Sequence, residues 1–273
     1  MATSMRDAWS RHVYGPDPSQ FADRYRPAGE RRPGTVLLLH GGWWGPKFGA
    51  DHLAGAAADL ARRGWVAWNI EYRRLGLGGG YPSTLEDVAA AIDSLGTHGE
   101  VDLGRVVAIG HSAGGHLATW AAGRAKLATG APSAGPGAPS AGPGAPGAAP
   151  VVGITGVISL AGVVDLEAAA HQKLGNGAVL ELLGGGPGQW PERYAVADPL
   201  GQVPIPAAVR CVHARADDRV PFAQSVTYVE AARAAGQDAG LLEVGGDHFT
   251  VADPLSPTWP TVVEALEDLT SAG

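Results

Sequence analysis

The chain has 273 residues, 45% apolar and 17% charged, with a formal net charge of −7 and one cysteine. An acidic balance without a Lys/Arg run argues against nucleic acid and against anionic membranes as partners. A lone Cys211 excludes an intramolecular disulfide. The N-terminus has no apolar leader segment and no stretch reaches the length of a membrane span, so the expectation is a soluble, cytoplasmic protein. The length suits one large domain over residues 1–273 and leaves the oligomeric state open.

In chain order, a polar lead-in with a turn at Tyr14–Pro18 precedes an expected edge strand over Phe21–Arg26, stopped by Pro27. Thr35–Leu39 is a continuous apolar run, the pattern of a strand buried on both faces. It runs into His40-Gly41-Gly42-Trp43-Trp44. A helix follows with Leu53, Ala56, Ala57 and Leu60 on one side and Gly64 at its end, then a strand over Trp65–Ile70. The glycine loop Gly76–Gly80 fails as a dinucleotide fingerprint, because Tyr81 and Pro82 stand where a glycine and a helix start are needed. A capping box over Ser83–Glu86 is expected to open the next helix, whose Leu85, Val88, Ala89, Ile92 and Leu95 keep the 3.6 period. Arg105–Ile109 is another buried strand.

Residues 130–150 repeat Ala-Pro-Ser-Ala-Gly-Pro-Gly and hold no large apolar side chain, so they read as a disordered insertion loop. The strand–helix alternation resumes at Ile154–Leu160. Some forty residues of mixed signal come next, room for a small cap at most, with a short helix near Ala178–Leu183. A strand over Ala207–Val212, a helix over Phe222–Ala235 with Phe222, Val226 and Val229 inward, a strand over Leu241–Val244 and a helix opened by Ser256-Pro257 complete the chain. Such alternation predicts an α/β fold with a mostly parallel central sheet covered by helices on both faces.

Gly110-His111-Ser112-Ala113-Gly114 fits G-x-S-x-G between a strand and a helix. Glycine flanks let strand and helix backbones approach closely and lift the serine hydroxyl out at the strand's carboxyl end. A Gly-rich turn with a capping serine is the plain alternative. In parallel sheets ligands gather at the carboxyl ends of strands, where His40–Trp44, Ser112, Asp217/Asp218 and His248 all fall. A serine nucleophile needs a base, and the base needs an acid to fix its tautomer. The chain order Ser, Asp, His is the one this topology gives.

With His40-Gly41-Gly42-Trp43-Trp44, Gly110-x-Ser112-x-Gly114, Asp217-x-x-Val220-Pro221 and Gly246-Asp247-His248-Phe249, the sequence resembles the α/β-hydrolase fold enzymes of the esterase/lipase-like group that includes kynurenine formamidases and small carboxylesterases. The resemblance covers nearly the whole chain outside the insertion. It implies Ser112 as nucleophile, Asp217 as acid and His248 as base. Ala214 stands where relatives often carry glycine, and Asp218 is a rival acid that the spacing to Val220-Pro221 disfavours.

In this reading the amides of Ala113 and of the Gly41-Gly42-Trp43 loop form the oxyanion hole, and no metal or organic cofactor is required. His40 is expected to brace that loop. Trp44, Tyr72, His111 and Phe249 are expected to line the substrate pocket, with Trp65, Trp68, His213 and Cys211 packed in the core. The expected activity is hydrolysis of small esters or related acyl compounds, with an arylformamidase as the nearest rival. A non-catalytic ligand-binding homologue is a third possibility, since the fold also serves receptors.

Overall fold

A computed structural model describes residues 9–99, 101–130 and 149–271, so most of the repetitive 130–150 stretch lies outside the described residues. Strands β1 (Trp9–Val13), β2 (Phe21–Tyr25), β3 (Thr35–Leu39), β4 (Val66–Ile70), β5 (Val106–His111), β6 (Gly156–Leu160), β7 (Ala208–Ala214) and β8 (Ala239–Val244) form one sheet. Its order is β1-β2-β4-β3-β5-β6-β7-β8. From β4 to β8 all neighbours are parallel, while β1 and β2 join antiparallel at one side.

Helices α1 (Ala54–Arg62), α2 (Ser83–Ser94) and α3 (Ala113–Gly130) alternate with strands. Three short helices, α4 (Leu166–His171), α5 (Leu174–Leu183) and α6 (Pro191–Ala197), follow β6, and α7 (Ala223–Ala234) and α8 (Trp259–Ser271) close the fold. The β3 run is buried throughout because its alternate residues serve two cores. Val36 and Leu38 pack with α1 and α8, Leu37 and Leu39 with α2 and α3. Each such side chain contributes about 1.5–3 kcal/mol of burial. Among the described residues no helix is long and apolar enough to cross a membrane.

Three local expectations are corrected. The strand at Phe21 is not the edge, because Trp9–Val13 pairs outside it. Those residues alternate between exposed and half-buried and include no run of core side chains, so their sequence gave no strand pattern. The capping box at Ser83 does not form. Pro82 takes the N-cap position, and Thr84 instead accepts from the Gly80 amide and donates to the Arg73 carbonyl. On α7 the fully buried residues are Gln224, Ser225, Tyr228, Val229 and Ala232, while Phe222 and Val226 are only half-buried.

One carboxylate ties α2, α3 and the returning chain together. Asp93 pairs with the buried guanidinium of Arg124 and accepts the amides of Val151 and Val152 at 2.9 and 3.1 Å. Removing one partner of a buried pair leaves the other charge uncompensated. Arg124→Met is therefore expected to lower unfolding free energy by about 3 kcal/mol in urea titrations, with little change in slope.

Candidate active site

The chain passes from β3 to β4 on one side of the sheet and then places β5 on the other side of β3. Loops leaving adjacent strands in opposite directions open a crevice at their carboxyl ends. Leu39 is in register with Gly110, so the His40–Trp44 loop and the Ser112 turn leave the sheet side by side.

Ser112 adopts φ +57, the left-handed strain expected of a sharp strand-to-helix turn. A Cβ on Gly110 would stand 2.0 Å from the Gly114 carbonyl oxygen, and one on Gly114 1.9 Å from that of Leu39. Neither position tolerates a side chain. Gly41 is also crowded, its virtual Cβ 2.7 Å from the His111 carbonyl oxygen and 2.9 Å from the Ser112 Cβ. Among the described residues no acceptor takes the amides of Trp43 and Ala113. Ala113 opens α3, where helix geometry leaves the first N–H groups without intrahelical acceptors, and Gly115 is the first to turn back, onto the Ser112 carbonyl at 2.9 Å.

His248 and Asp217 are in direct contact. His248 Nδ1 donates to Asp217 Oδ2 at 2.6 Å, which leaves the Nε2 lone pair as the ring's basic position. Asp217 also accepts from the Arg219 and Val220 amides at 2.8 and 2.9 Å. His213 Nε2 lies 3.2 Å from the same carboxylate and 3.0 Å from the Val220 carbonyl, while its Nδ1 accepts from Ser225 Oγ at 2.8 Å. Burial alone would raise the Asp217 pKa. The hydrogen bonds from His213, His248 and the two amides outweigh it and hold the carboxyl far below the ordinary range. Asp218 is 73% exposed, and its one ion pair among the described residues is with Arg219, whereas Asp217 is the carboxylate in contact with His248.

His111 and Phe249 line a cavity of about 190 Å³ together with Ser112, His248, Gly42, Trp43, Lys47, Phe48, His52 and Arg219. His111 Nε2 donates to the His248 carbonyl at 2.8 Å, and His52 Nε2 donates to His111 Nδ1 at 3.0 Å. Burial, with the neighbouring His248 and His52, brings the His111 pKa down to about 3, so this ring is neutral at physiological pH. It fixes the backbone of the loop that presents His248.

Trp44 and Tyr72 are corrected: both are fully buried and do not line the cavity. The Trp44 indole donates to His116 Nδ1 at 3.2 Å. Tyr72 stacks on His40 at 4.3 Å and donates to the His40 carbonyl at 2.8 Å. Their place is beneath the loop, supporting it. His40 braces the same loop, its ring nitrogens 2.9 Å from the Gly41 carbonyl and from Glu71 Oε1. Trp65, Trp68, His213 and Cys211 are in the core as expected.

Lys47, Phe48, His52 and Arg219 were not singled out in the sequence. The first three directly continue the glycine loop, a proximity that was available as a signal. Glu71 was missed as the anchor, accepting from His40, the Ala50 amide at 2.8 Å and the Tyr72 amide at 3.0 Å. No group of three or more His, Cys, Asp or Glu among the described residues is placed to hold a metal ion.

A family model described as BD-FAE matches residues 22–231, well over half of the chain. The chain belongs to the BD-FAE family. This is a family of α/β-hydrolase esterases, and the sheet described above is that fold. No curated protein matches the chain. Among solved structures it is similar to esterase B from Lactobacillus rhamnosis, with a TM-score of 0.78, 21% identity and coverage of 96% of this chain and 85% of that one. It is also similar to a truncated carbohydrate esterase from gut microbiota, at TM-score 0.75, 21% identity and coverage of 97% and 98%. A bifunctional GH43-CE protein from Bacteroides eggerthii matches at TM-score 0.77 and 23% identity over 98% of this chain. This BD-FAE chain spans only 36% of that protein's length. At such identities the likeness concerns the fold.

Two consequences can be measured. With its folded pKa depressed, Asp217 contributes stability that is fully present above the unfolded carboxylate pKa of about 4 and is lost as pH falls toward the folded value. Asp217→Asn is expected to flatten this acid limb, so that unfolding free energies at pH 7 and pH 3 differ less in the variant than in wild type. Glu71→Gln weakens a charge-assisted anchor beneath the glycine loop and is expected to cost about 1.5–3 kcal/mol of stability in denaturant titrations.

Proposed function

We propose that this BD-FAE chain hydrolyses small carboxylic esters through an acyl-enzyme on Ser112, with His248 as base and Asp217 as acid. The observation that carries the reading is the 2.6 Å His248–Asp217 hydrogen bond, in a cavity whose wall also includes the strained Ser112. His248 Nε2 takes the hydroxyl proton as Ser112 Oγ attacks the acyl carbon. The carbonyl electron pair moves onto oxygen. That oxyanion is received by the free amides of Ala113 and Trp43, with Gly41 and Gly42 shaping the loop, and by the positive end of α3. Each such donor is worth ~10²–10³ in turnover.

The protonated His248 then gives its proton to the leaving alcohol as the ester C–O bond breaks. Water, activated by the same nitrogen, releases the acid and restores the serine. Asp217 stays ionised throughout, its four donors stabilising the carboxylate that faces the imidazolium. No cofactor enters this sequence of steps.

The cavity of about 190 Å³ supports small acyl groups. Six or so water molecules would fill it, taking roughly 30 Å³ each, and drug-sized ligands need about 300 Å³ or more. The arylformamidase alternative rests on the resemblance carried by His40-Gly41-Gly42-Trp43-Trp44. Of its two tryptophans Trp43 lines the cavity, while Trp44 packs against His116.

Ser112→Ala is expected to abolish turnover and labelling by an organophosphonate while the folded spectrum is kept. Residual burst activity in that variant contradicts the serine mechanism. Values of kcat/KM on short p-nitrophenyl esters are expected to exceed that on N-formylkynurenine by at least tenfold, and the reverse order would favour the formamidase.

A further inference from the structure

The molecule is acidic, with a net charge of −7, yet the wall of the catalytic cavity is not. Two cations, Lys47 and Arg219, line it, and no Asp or Glu does. They come from distant parts of the chain, one from the loop after β3 and one from the loop after β7. Lys47 is exposed, and the Arg219 side chain is 58% exposed. Ser112, by contrast, is 2% exposed. The rim of the cavity is therefore cationic and the nucleophile is buried.

Neither cation is neutralised by a tight pair. Arg219 Nε stands 3.4 Å from Asp218 Oδ1, a solvent-exposed pair of the kind that contributes little. Among the described residues no carboxylate pairs with Lys47, whose Nζ sits 5.2 Å from the Phe48 ring centre. One further feature favours negative charge inside: α3 begins at Ala113, beside Ser112, and the Ala113 amide has no acceptor among the described residues. A neutral ester would make no use of two rim cations, while a substrate with a carboxylate projecting toward solvent would meet both.

We propose that the enzyme selects small esters that carry a carboxylate on the portion projecting from the cavity, with Lys47 and Arg219 as the residues that recognise it. The proposal rests on the ester-hydrolase reading above. Recognition by exposed cations acts through attraction during encounter and through weak contacts in the complex, so it is screened by salt.

The test uses two matched pairs of substrates. In one the charge is on the alcohol: para-acetoxybenzoate against its methyl ester. In the other it is on the acid: p-nitrophenyl monosuccinate against p-nitrophenyl butyrate. For each pair the ratio of kcat/KM, anionic over neutral, is measured in wild type and in the Lys47→Ala/Arg219→Ala double variant. Comparing these ratios cancels intrinsic ester reactivity and any change in the chemical step. In at least one pair the ratio is expected to fall about tenfold in the double variant. The wild-type ratio is also expected to fall on going from about 20 mM to 500 mM salt, with little salt response in the variant. Equal ratios in wild type and variant for both pairs overturn the anion preference. No hydrolysis of any of the four esters by wild type, with Ser112 unlabelled by phosphonate, would instead overturn the ester-hydrolase reading itself.

Discussion

The contact between the first turn of α3 and the end of β3 decides the rest. Gly114 lies against the Leu39 carbonyl with no room for even one carbon atom, and Gly41 is packed closely against Ser112 as well. That approach brings two loops from neighbouring strands into one crevice. The first presents a hydroxyl on a strained backbone, the second presents free amides. Larger residues at these positions would separate the loops by the thickness of a side chain, and amides aimed at an oxyanion lose their value when displaced by about 1 Å.

Around that contact, buried polar groups are held by more than one partner. Asp217 has four donors, Glu71 three, and His111 uses both ring nitrogens. The arrangement follows from the cost of leaving a buried polar group unpaired, about 1–3 kcal/mol. It also fixes tautomers. His248 must carry its proton on Nδ1, His213 and His111 theirs on Nε2, and His248 Nε2 is left without a partner among the described residues.

Much of this was legible in the sequence because it follows from local pattern. Thr35–Leu39 and Val106–Ile109 read as doubly buried strands, and glycine spacing around Ser112 read as a tight turn. Asp217 and His248 were named through the family resemblance, with which the chain order agrees, and the structure puts the two side chains in contact. The misses have a common cause, since a motif shows adjacency along the chain and not which way a ring points. Trp44 and Tyr72 sit in or after functional loops yet turn into the core, while Phe48 and His52, a few residues on, turn toward the cavity. The strand at Trp9 was hidden because an edge position with half its residues exposed needs no apolar run. Ser83 failed as a cap because Pro82 had already set the helix entry.

Asp93 has a consequence for how the chain tolerates change. The same carboxylate holds Arg124 of α3 and the amides of residues 151 and 152, so the two ends of the repetitive stretch are clamped to one point on α2. Closing a longer or shorter connection between fixed ends costs only about 0.6 kcal/mol per doubling of length. A change in the number of residues between 130 and 150 therefore need not reach Ser112. The helix that follows this serine is held in place from α2 and from the chain's point of return, on either side of the repeats.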